Sequence, residues 1–440
     1  MKKNLLLLAI LGGLIAFAVV YQKNQNATLN TAARTGVKQR ELLVPDLQAT
    51  ATRKFVIKDD KGSVTISIAD DMKSAVVAER GGYPASIEKL GTAITDLSNQ
   101  AIAQKQEIRK GAWAKYKLKA PGDGTEGIGT QIELKDGGDK ALATLILGSN
   151  TETSGTGNDN PMMGGSGQRL VRTPQDGETI WQVSNTFFDL EAKPENWVDK
   201  SFIDVQKIKT ITVAAPKAED SWSIKREKDS DTDFVLADAK PSETLDNTKI
   251  TAGSLLSTPS FNDVNGKDKA AELLKDAVKA KIVTFDGYTY DVQVAKQSKD
   301  GSDKFYMSVN VAADLPKART PVKDEKEEDK KKADEAFAAD KKTKEDKLAK
   351  EQKFAGWVYE VSEYTVNNLL KKRSEIVKLE VPKAETPPPA GTAPAVPATS
   401  AAPAAPAAPV SVTTPPVSVT TPPVSVPPAP AKPEGDAAKK

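Results

Sequence analysis

Two stretches of this sequence carry the same turn in the same setting. Ile132-Glu-Leu-Lys-Asp-Gly137 and Ile282-Val-Thr-Phe-Asp-Gly287 each run an alternating strand into an Asp-Gly turn, and a second strand pattern follows each, over 142–147 and 288–294. Asp-Gly supplies the backbone a tight hairpin needs, so both read as hairpins. Further on, Trp181-Gln-Val-Ser184 and Tyr359-Glu-Val-Ser362 occupy equivalent places, each followed by a short helical stretch. This recurrence predicts an α+β fold made of a duplicated unit of short antiparallel strands and amphipathic helices. An ordinary α+β chain without duplication is the competing reading.

The first copy is expected over 53–203. Phe55 and Ile57, then Val64, Ile66 and Ile68, alternate across the turn Asp59-Asp60-Lys61-Gly62. A strand is expected over 74–79. Ile87, Leu90, Ile94 and Leu97 follow at spacings of three and four, one apolar stripe of a helix that starts just after Pro84. Strands over 169–172 and 179–184 flank Asp176-Gly177. The second copy, over 204–383, restarts with an alternating strand at 208–213. Short strands are expected at 222–224 and 234–236, helices at 248–256 and 270–278, strands at 305–311 and 357–361, and a closing helix at 363–372. Each copy carries an insertion. Residues 149–168 are Gly, Ser, Asn and Thr around Pro161-Met-Met163, a composition that reads as a flexible loop. Residues 317–353 are dominated by Lys, Glu and Asp, which predicts a solvated helix or a disordered charged loop with no packed face.

The two ends differ from this body. Lys2 and Lys3 precede an uncharged, mostly apolar run to Val20. As a helix that run is roughly 24 Å long, against about 30 Å of bilayer hydrocarbon. Residues 1–22 therefore read as a membrane anchor or signal. Ala16-Phe17-Ala18 offers a cleavage site, but the apolar run continues past it, which favours an uncleaved transmembrane helix with the bulk of the chain outside the cytoplasm. Residues 23–52 read as a linker. The chain has 28 prolines, most of them beyond Pro382, and Val410-Ser-Val-Thr-Thr-Pro-Pro recurs at Val417. Residues 384–440 are expected to form a disordered, extended tail reaching at most roughly 175 Å.

Composition excludes much chemistry. There is no cysteine, hence no disulfide, thiolate nucleophile or lipidated cysteine. There is no histidine, hence no Ser-His-Asp triad and no imidazole-held zinc. Lys+Arg is 62 against 60 Asp+Glu, so net charge gives no case for nucleic acid. Gly122-x-Gly124-x-x-Gly127 matches a dinucleotide fingerprint by letter but lacks the flanking strand and helix, so it reads as a glycine loop. Asp59-Asp60-Lys61-Gly62 and Asn158-Asp159-Asn160 read as turns rather than calcium loops. Trp113, Trp181, Trp222, Trp357 and Tyr359 read as core or sheet residues rather than carbohydrate platforms. Ser166-Gly-Gln-Arg169 has no strained elbow around its serine, and Arg34, Lys38 and Arg40 read as a solvated basic linker. The expectation is no catalytic, cofactor-binding or metal-ligating residue, and no cofactor. A hydrolase using two carboxylates stays open.

The run Leu145-Ile-Leu-Gly148, Arg169-Leu-Val-Arg172, Gly177, Trp181-Gln-Val-Ser184 and Trp197-Val-Asp-Lys-Ser-Phe202, followed by the strand at 208–213, resembles the domain of unknown function 4340 (DUF4340) family. The resemblance covers roughly residues 1–380. It implies an N-terminal membrane helix, a repeated extracytoplasmic α+β region, and association with an ABC-type transport system of the gliding-motility kind. Implied partners are the membrane and separate permease and ATPase chains, with no nucleic acid. The implied location is the bacterial inner membrane, single-pass, with the bulk of the chain periplasmic. The charged insertion, the glycine loop and the proline tail depart from the family pattern. The expected function is a non-enzymatic accessory protein of such a system. The alternative is an envelope structural or adhesion protein with a wall-spanning tail.

Overall fold

The computed structural model describes residues 41–151, 167–299, 301–321 and 325–379. Within them the chain is α+β, with mostly antiparallel strands and few helices. The first sheet is built from β1 (Lys54–Lys58), β2 (Ser63–Ile68), β3 (Ala75–Val77), β4 (Tyr83–Pro84), β5 (Ile102–Glu107), β6 (Thr130–Lys135), β7 (Ala141–Thr151), β8 (Gln168–Arg172) and β9 (Thr179–Val183). Its order is β4-β3-β2-β1-β6-β7-β8-β9-β5. The second sheet uses β10 (Ile208–Ala214), β11 (Trp222–Lys225), β12 (Val235–Leu236), β14 (Phe261–Gly266), β15 (Val278–Thr284), β16 (Tyr288–Lys299), β17 (Ser302–Ala313) and β18 (Trp357–Val361). Its order is β12-β11-β10-β15-β16-β17-β18-β14. Strand for strand this order repeats that of the first sheet from β3 to β5. Between β12 and β14 lies β13 (Glu243–Leu245), which pairs instead with β19 (Val377–Leu379).

Local chemistry explains the elements that the sequence announces. Helix α1 (Ile87–Ser98) starts where the Ser86 side chain accepts a hydrogen bond from the Lys89 N–H at 3.3 Å. Its Leu90, Ala93, Ile94 and Leu97 are buried. The β1–β2 hairpin pairs Ile57 with Val64. Its turn is held by Asp59 Oδ1, which accepts from the N–H groups of Lys61 and Gly62 at 2.8 and 2.9 Å. At the β15–β16 turn Gly287 has φ +90°, and a Cβ there would meet the Asp314 carbonyl oxygen at 2.5 Å.

Several segments differ from expectation. The helix expected at 248–256 reduces to a 3-10 turn, Ala252–Ser254, because Thr248, Ile250, Thr251 and Gly253 weaken a helix. That at 270–278 reduces to α2 (Ala270–Leu273), since Val278 is drawn into β15 by pairing with β16. The charged insertion is ordered as α3 (Glu327–Glu351). It lacks an apolar face, as expected, yet its C-terminal end docks. The Tyr288 hydroxyl donates to the Lys344 carbonyl at 2.9 Å, and Lys347 Nζ donates to the Asp204 carbonyl at 2.6 Å. Folding also begins ahead of residue 53, because Leu43, Val44 and Leu47 are buried and Leu42 bridges Ala101. The closing helix is split into α4 (Glu363–Leu370) and α5 (Arg373–Ile376). The expected N-terminal anchor, the proline tail and most of the 149–168 loop lie outside the described residues. Among the described residues, no helix is long and apolar enough to cross a membrane.

The two sheets share one apolar core. At their junction the Tyr83 ring stands edge-on to Trp357, Phe261 and Tyr359, with centroids 5.0, 6.1 and 6.1 Å apart. Burial pushes the Tyr83 hydroxyl up to about 12. Phe202, from the connection between the sheets, packs on Tyr359 at 4.5 Å.

Candidate functional site

The connection from β5 to β6 lies across the outer face of the first sheet, opposite the core. Its 3-10 helix, Lys110–Tyr116, is pinned by Trp113, whose Nε1 donates to the Ile108 carbonyl at 2.9 Å. Trp113 and Leu118 pack on Leu170 and Ile180 in a small cluster of their own. The Arg172 guanidinium sits 4.1 Å over the Trp113 ring and donates through Nε to the Leu118 carbonyl at 2.9 Å. Burial lowers the Arg172 pKa, partly opposed by Asp123. The guanidinium stays charged. The glycine loop follows. A Cβ on Gly127 would overlap the Ala114 backbone, and one on Gly129 would meet the Leu147 carbonyl at 2.8 Å. These glycines serve close packing of backbone on backbone, in keeping with a structural loop.

The first half of this connection leaves cations on the surface, while the glycine loop in its second half exposes Asp123 and Glu126. Residues 109–119 read Arg-Lys-Gly-Ala-Trp-Ala-Lys-Tyr-Lys-Leu-Lys, without one acid. Arg109, Lys110, Lys115 and Lys117 are exposed and Lys119 is half-buried. None of these five forms an ion pair among the described residues. Elsewhere pairing is common, as in Lys304–Glu360 at 3.0 Å and Lys296–Asp303 at 2.8 Å. Lys110 and Lys115 stand 5.9 and 5.4 Å from the ring centres of Trp113 and Tyr116. At one edge Lys117, Arg169, Ser149 and Asn150 line a recess of about 240 Å³. Arg169 is fixed there by donating to the carbonyls of Gly148 and Thr186 at 2.9 and 2.7 Å. Such a strip attracts anionic groups, and the underlying Trp113–Arg172 stack keeps it rigid.

A second recess, of about 320 Å³, lies between α1 and the loop after β9. Phe187 takes φ +50°, with its N–H bonded to Asn185 Oδ1 at 2.9 Å, and the next residue, Phe188, is 74% exposed. Burial pushes the Asp96 carboxyl up, opposed by its hydrogen bond with Asn185 and reinforced by the charge of Asp189. Burial pushes the Lys89 ammonium down, opposed by Asp189 and Glu191. Mixed charge makes this recess less selective for one sign than the strip.

The residues singled out from sequence are mostly structural. Trp181 donates to Asp176 Oδ2 and Trp222 to the Lys371 carbonyl, both at 2.8 Å. Tyr359 is fully buried. Asp59 holds its turn, as described above. Trp357 is half-buried at the sheet junction. Ser166, Asn158-Asp159-Asn160 and Arg34, Lys38 and Arg40 lie outside the described residues. Among the described residues, no group of three or more acidic side chains is placed to hold a metal ion. The cationic strip went unnoticed in the sequence because whole-chain charge averages to +2. A local charge window would have found it.

The model of the domain of unknown function DUF4340 matches residues 76–285. The chain carries a DUF4340 domain. The matched DUF4340 region runs from β3 to the end of β15 and so contains α1, the cationic strip and both recesses described above. No curated protein and no solved structure matches the chain.

Proposed function

We propose that this DUF4340 protein is a non-enzymatic, membrane-anchored, extracytoplasmic accessory protein of an ABC-type export or gliding-type system. Its cationic strip docks on the anionic headgroups of the membrane that holds the transporter. The observation that carries this reading is the strip Arg109–Lys119, five cations without an ion pair among the described residues. Each exposed cation near an anionic bilayer contributes about 1 kcal/mol of attraction, and several together hold a domain that is already tethered. The apolar run at 5–20 is the natural tether. Residues 23–40, when extended, reach roughly 60 Å, enough to lay the first sheet on the surface.

The two sheets are read as two copies of one unit, supported by their matching strand order. One copy then faces the membrane while the other is free for a ligand or for a permease. Affinity purification from native membranes, with a C-terminal tag, a mild detergent and mass spectrometry, tests the assignment. A permease and an ATPase recovered in fixed ratio is the expected result. Recovery of the chain alone, or with cell-wall material, contradicts it.

A further inference from the structure

Most arginines of this chain hold a carboxylate. Arg53, Arg80, Arg226, Arg319 and Arg373 each pair with one. The two arginines of β8 do not, among the described residues. Arg172 stacks on Trp113 instead. Arg169 has neither a carboxylate nor a ring among the described residues. Its Nε and Nη1 donate to the carbonyls of Gly148 and Thr186, which fix the guanidinium but leave its charge uncompensated. Arg169 is half-buried, and burial lowers its pKa, yet the group stays charged. A partly desolvated cation without a counter-charge is costly, and an anion taken from solution removes that cost.

Arg169 lines the recess of about 240 Å³ at the edge of the strip, together with Lys117, Gly148, Ser149 and Asn150. Two features build this recess. The pairing of β7 with β8 shifts register between Leu147 and Asn150, a bulge that bends the strand and re-aims its side chains. The end of the 3-10 helix packs down on the same point. A Cβ on Gly148 would meet the Tyr116 carbonyl oxygen at 2.7 Å and Leu118 Cδ2 at 2.6 Å. Lys117, between those two residues, is thereby held against the bulge. It takes φ +52°, where Gly or Asn would be less strained. The side chains of Lys117, Ser149 and Asn150 make no hydrogen bond to another described residue, and Arg169 Nη2 has no described acceptor. Among the described residues, no acid lines the recess.

We propose that this recess is a binding site for a single phosphate group, held by Arg169 and Lys117 with Ser149 and Asn150. An ammonium, the free side of a guanidinium, a hydroxyl and an amide all donate, and the oxygens of a phosphate accept from all of them. A carboxylate has only two oxygens to offer the same donors. The volume lies below the roughly 300 Å³ at which sites for larger organic ligands begin, so the recess takes the phosphate and little else. Two sources carry this chemistry, a phospholipid headgroup and inorganic phosphate. The headgroup is the expected source, and that assignment rests on the membrane docking proposed above. Docking by charge alone is indifferent to what carries the negative charge, whereas this recess prefers phosphate.

The test uses the full chain and the acetylation rates of single lysines, read by mass spectrometry. Lys117 lines the recess, and Lys110 belongs to the strip alone. Inorganic phosphate, up to about 10 mM, where weak sites still register, is compared with chloride at equal ionic strength. Lys117 should react several-fold more slowly in phosphate, saturably, while Lys110 keeps its rate. Arg169→Lys keeps the charge but loses the fork, and should weaken this protection about tenfold. Asn150→Ala, at an exposed position, should weaken it several-fold, and circular dichroism checks the fold of both variants. Nanodiscs then separate the sources. Discs containing phosphatidylglycerol are compared with discs given the same surface charge by a fatty acid. Extra protection of Lys117 on the phospholipid discs alone supports the headgroup. Protection by inorganic phosphate without that preference supports the site with the free ion as its ligand, whether or not the strip docks. No effect of inorganic phosphate on Lys117, with equal protection on both kinds of disc, overturns the proposal and leaves docking by charge standing.

Discussion

Arg80 grips Asp263 across the junction of the two sheets with two hydrogen bonds, Nε to Oδ1 at 2.5 Å and Nη2 to Oδ2 at 2.8 Å. The same Nη2 also donates to Glu195 Oε2 at 3.0 Å. Both side chains are largely shielded, so the pair is more than a surface contact. Asp263→Ala leaves the guanidinium half-satisfied and is expected to cost about 2–3 kcal/mol. A lowered urea midpoint with unchanged slope is the predicted signature. A midpoint within error of the parent would show that the aromatic packing of Tyr83 alone holds the junction.

Glu351 gives a pH dependence. It is 3% exposed, and its carboxylate accepts from the Asp204 N–H at 3.0 Å and the Tyr290 hydroxyl at 2.8 Å. Burial raises its pKa, and these bonds and Lys347 only partly oppose that. A carboxyl raised in the folded state binds its proton more tightly there than in the unfolded chain, where the value is about 4.3. Its contribution to stability is therefore fully present below that value and is lost as pH rises through the folded pKa. Glu351→Gln should flatten this fall and leave the protein at least as stable at neutral pH. Denaturant midpoints for both proteins across acid to neutral pH check this, and parallel curves would contradict it.

Gly127 tests the glycine loop. It has φ +70°, and a Cβ would overlap the Ala114 backbone. Gly127→Ala must both adopt a disfavoured backbone and push the 3-10 helix outward. The expected cost is about 2–4 kcal/mol. Gly122 also has positive φ but open space around its Cβ position, so Gly122→Ala is expected to cost only about 1 kcal/mol. Melting temperatures of the two variants should separate clearly. Equal losses would mean that backbone strain, not crowding, dominates in this loop.

How much was legible depends on where each element finds its partners. Helix α1 was readable because Ser86, Leu90, Ile94 and Leu97 carry its start and its buried stripe locally. The hairpins at Asp59 and Asp136 were readable because alternation and turn chemistry coincide. Strands β5 and β14 were not. Ile102-Ala-Gln-Lys-Gln-Glu107 and Phe261-Asn-Asp-Val-Asn-Gly266 have little apolar alternation, because each lies at a sheet edge and is defined by pairing with β9 or β18, far off in sequence. The docking of α3 was hidden for a similar reason. Glu351 looks like one more solvated acid until Tyr290 and Asp204 close over it. The anion-attracting strip was present as a plain run of cations.

The most direct measurement is lysine acetylation of the full chain reconstituted in lipid nanodiscs, read site by site by mass spectrometry. Discs of neutral lipid are compared with discs containing an anionic phospholipid. Lys110, Lys115 and Lys117 should react several-fold more slowly on anionic discs, while Lys279 and Lys281, exposed on the second sheet, keep their rates. Raising salt to about 1 M, where the screening length is about 3 Å, should restore the rates at the strip. Equal rates at Lys110, Lys115 and Lys117 on both kinds of disc would contradict docking through this face.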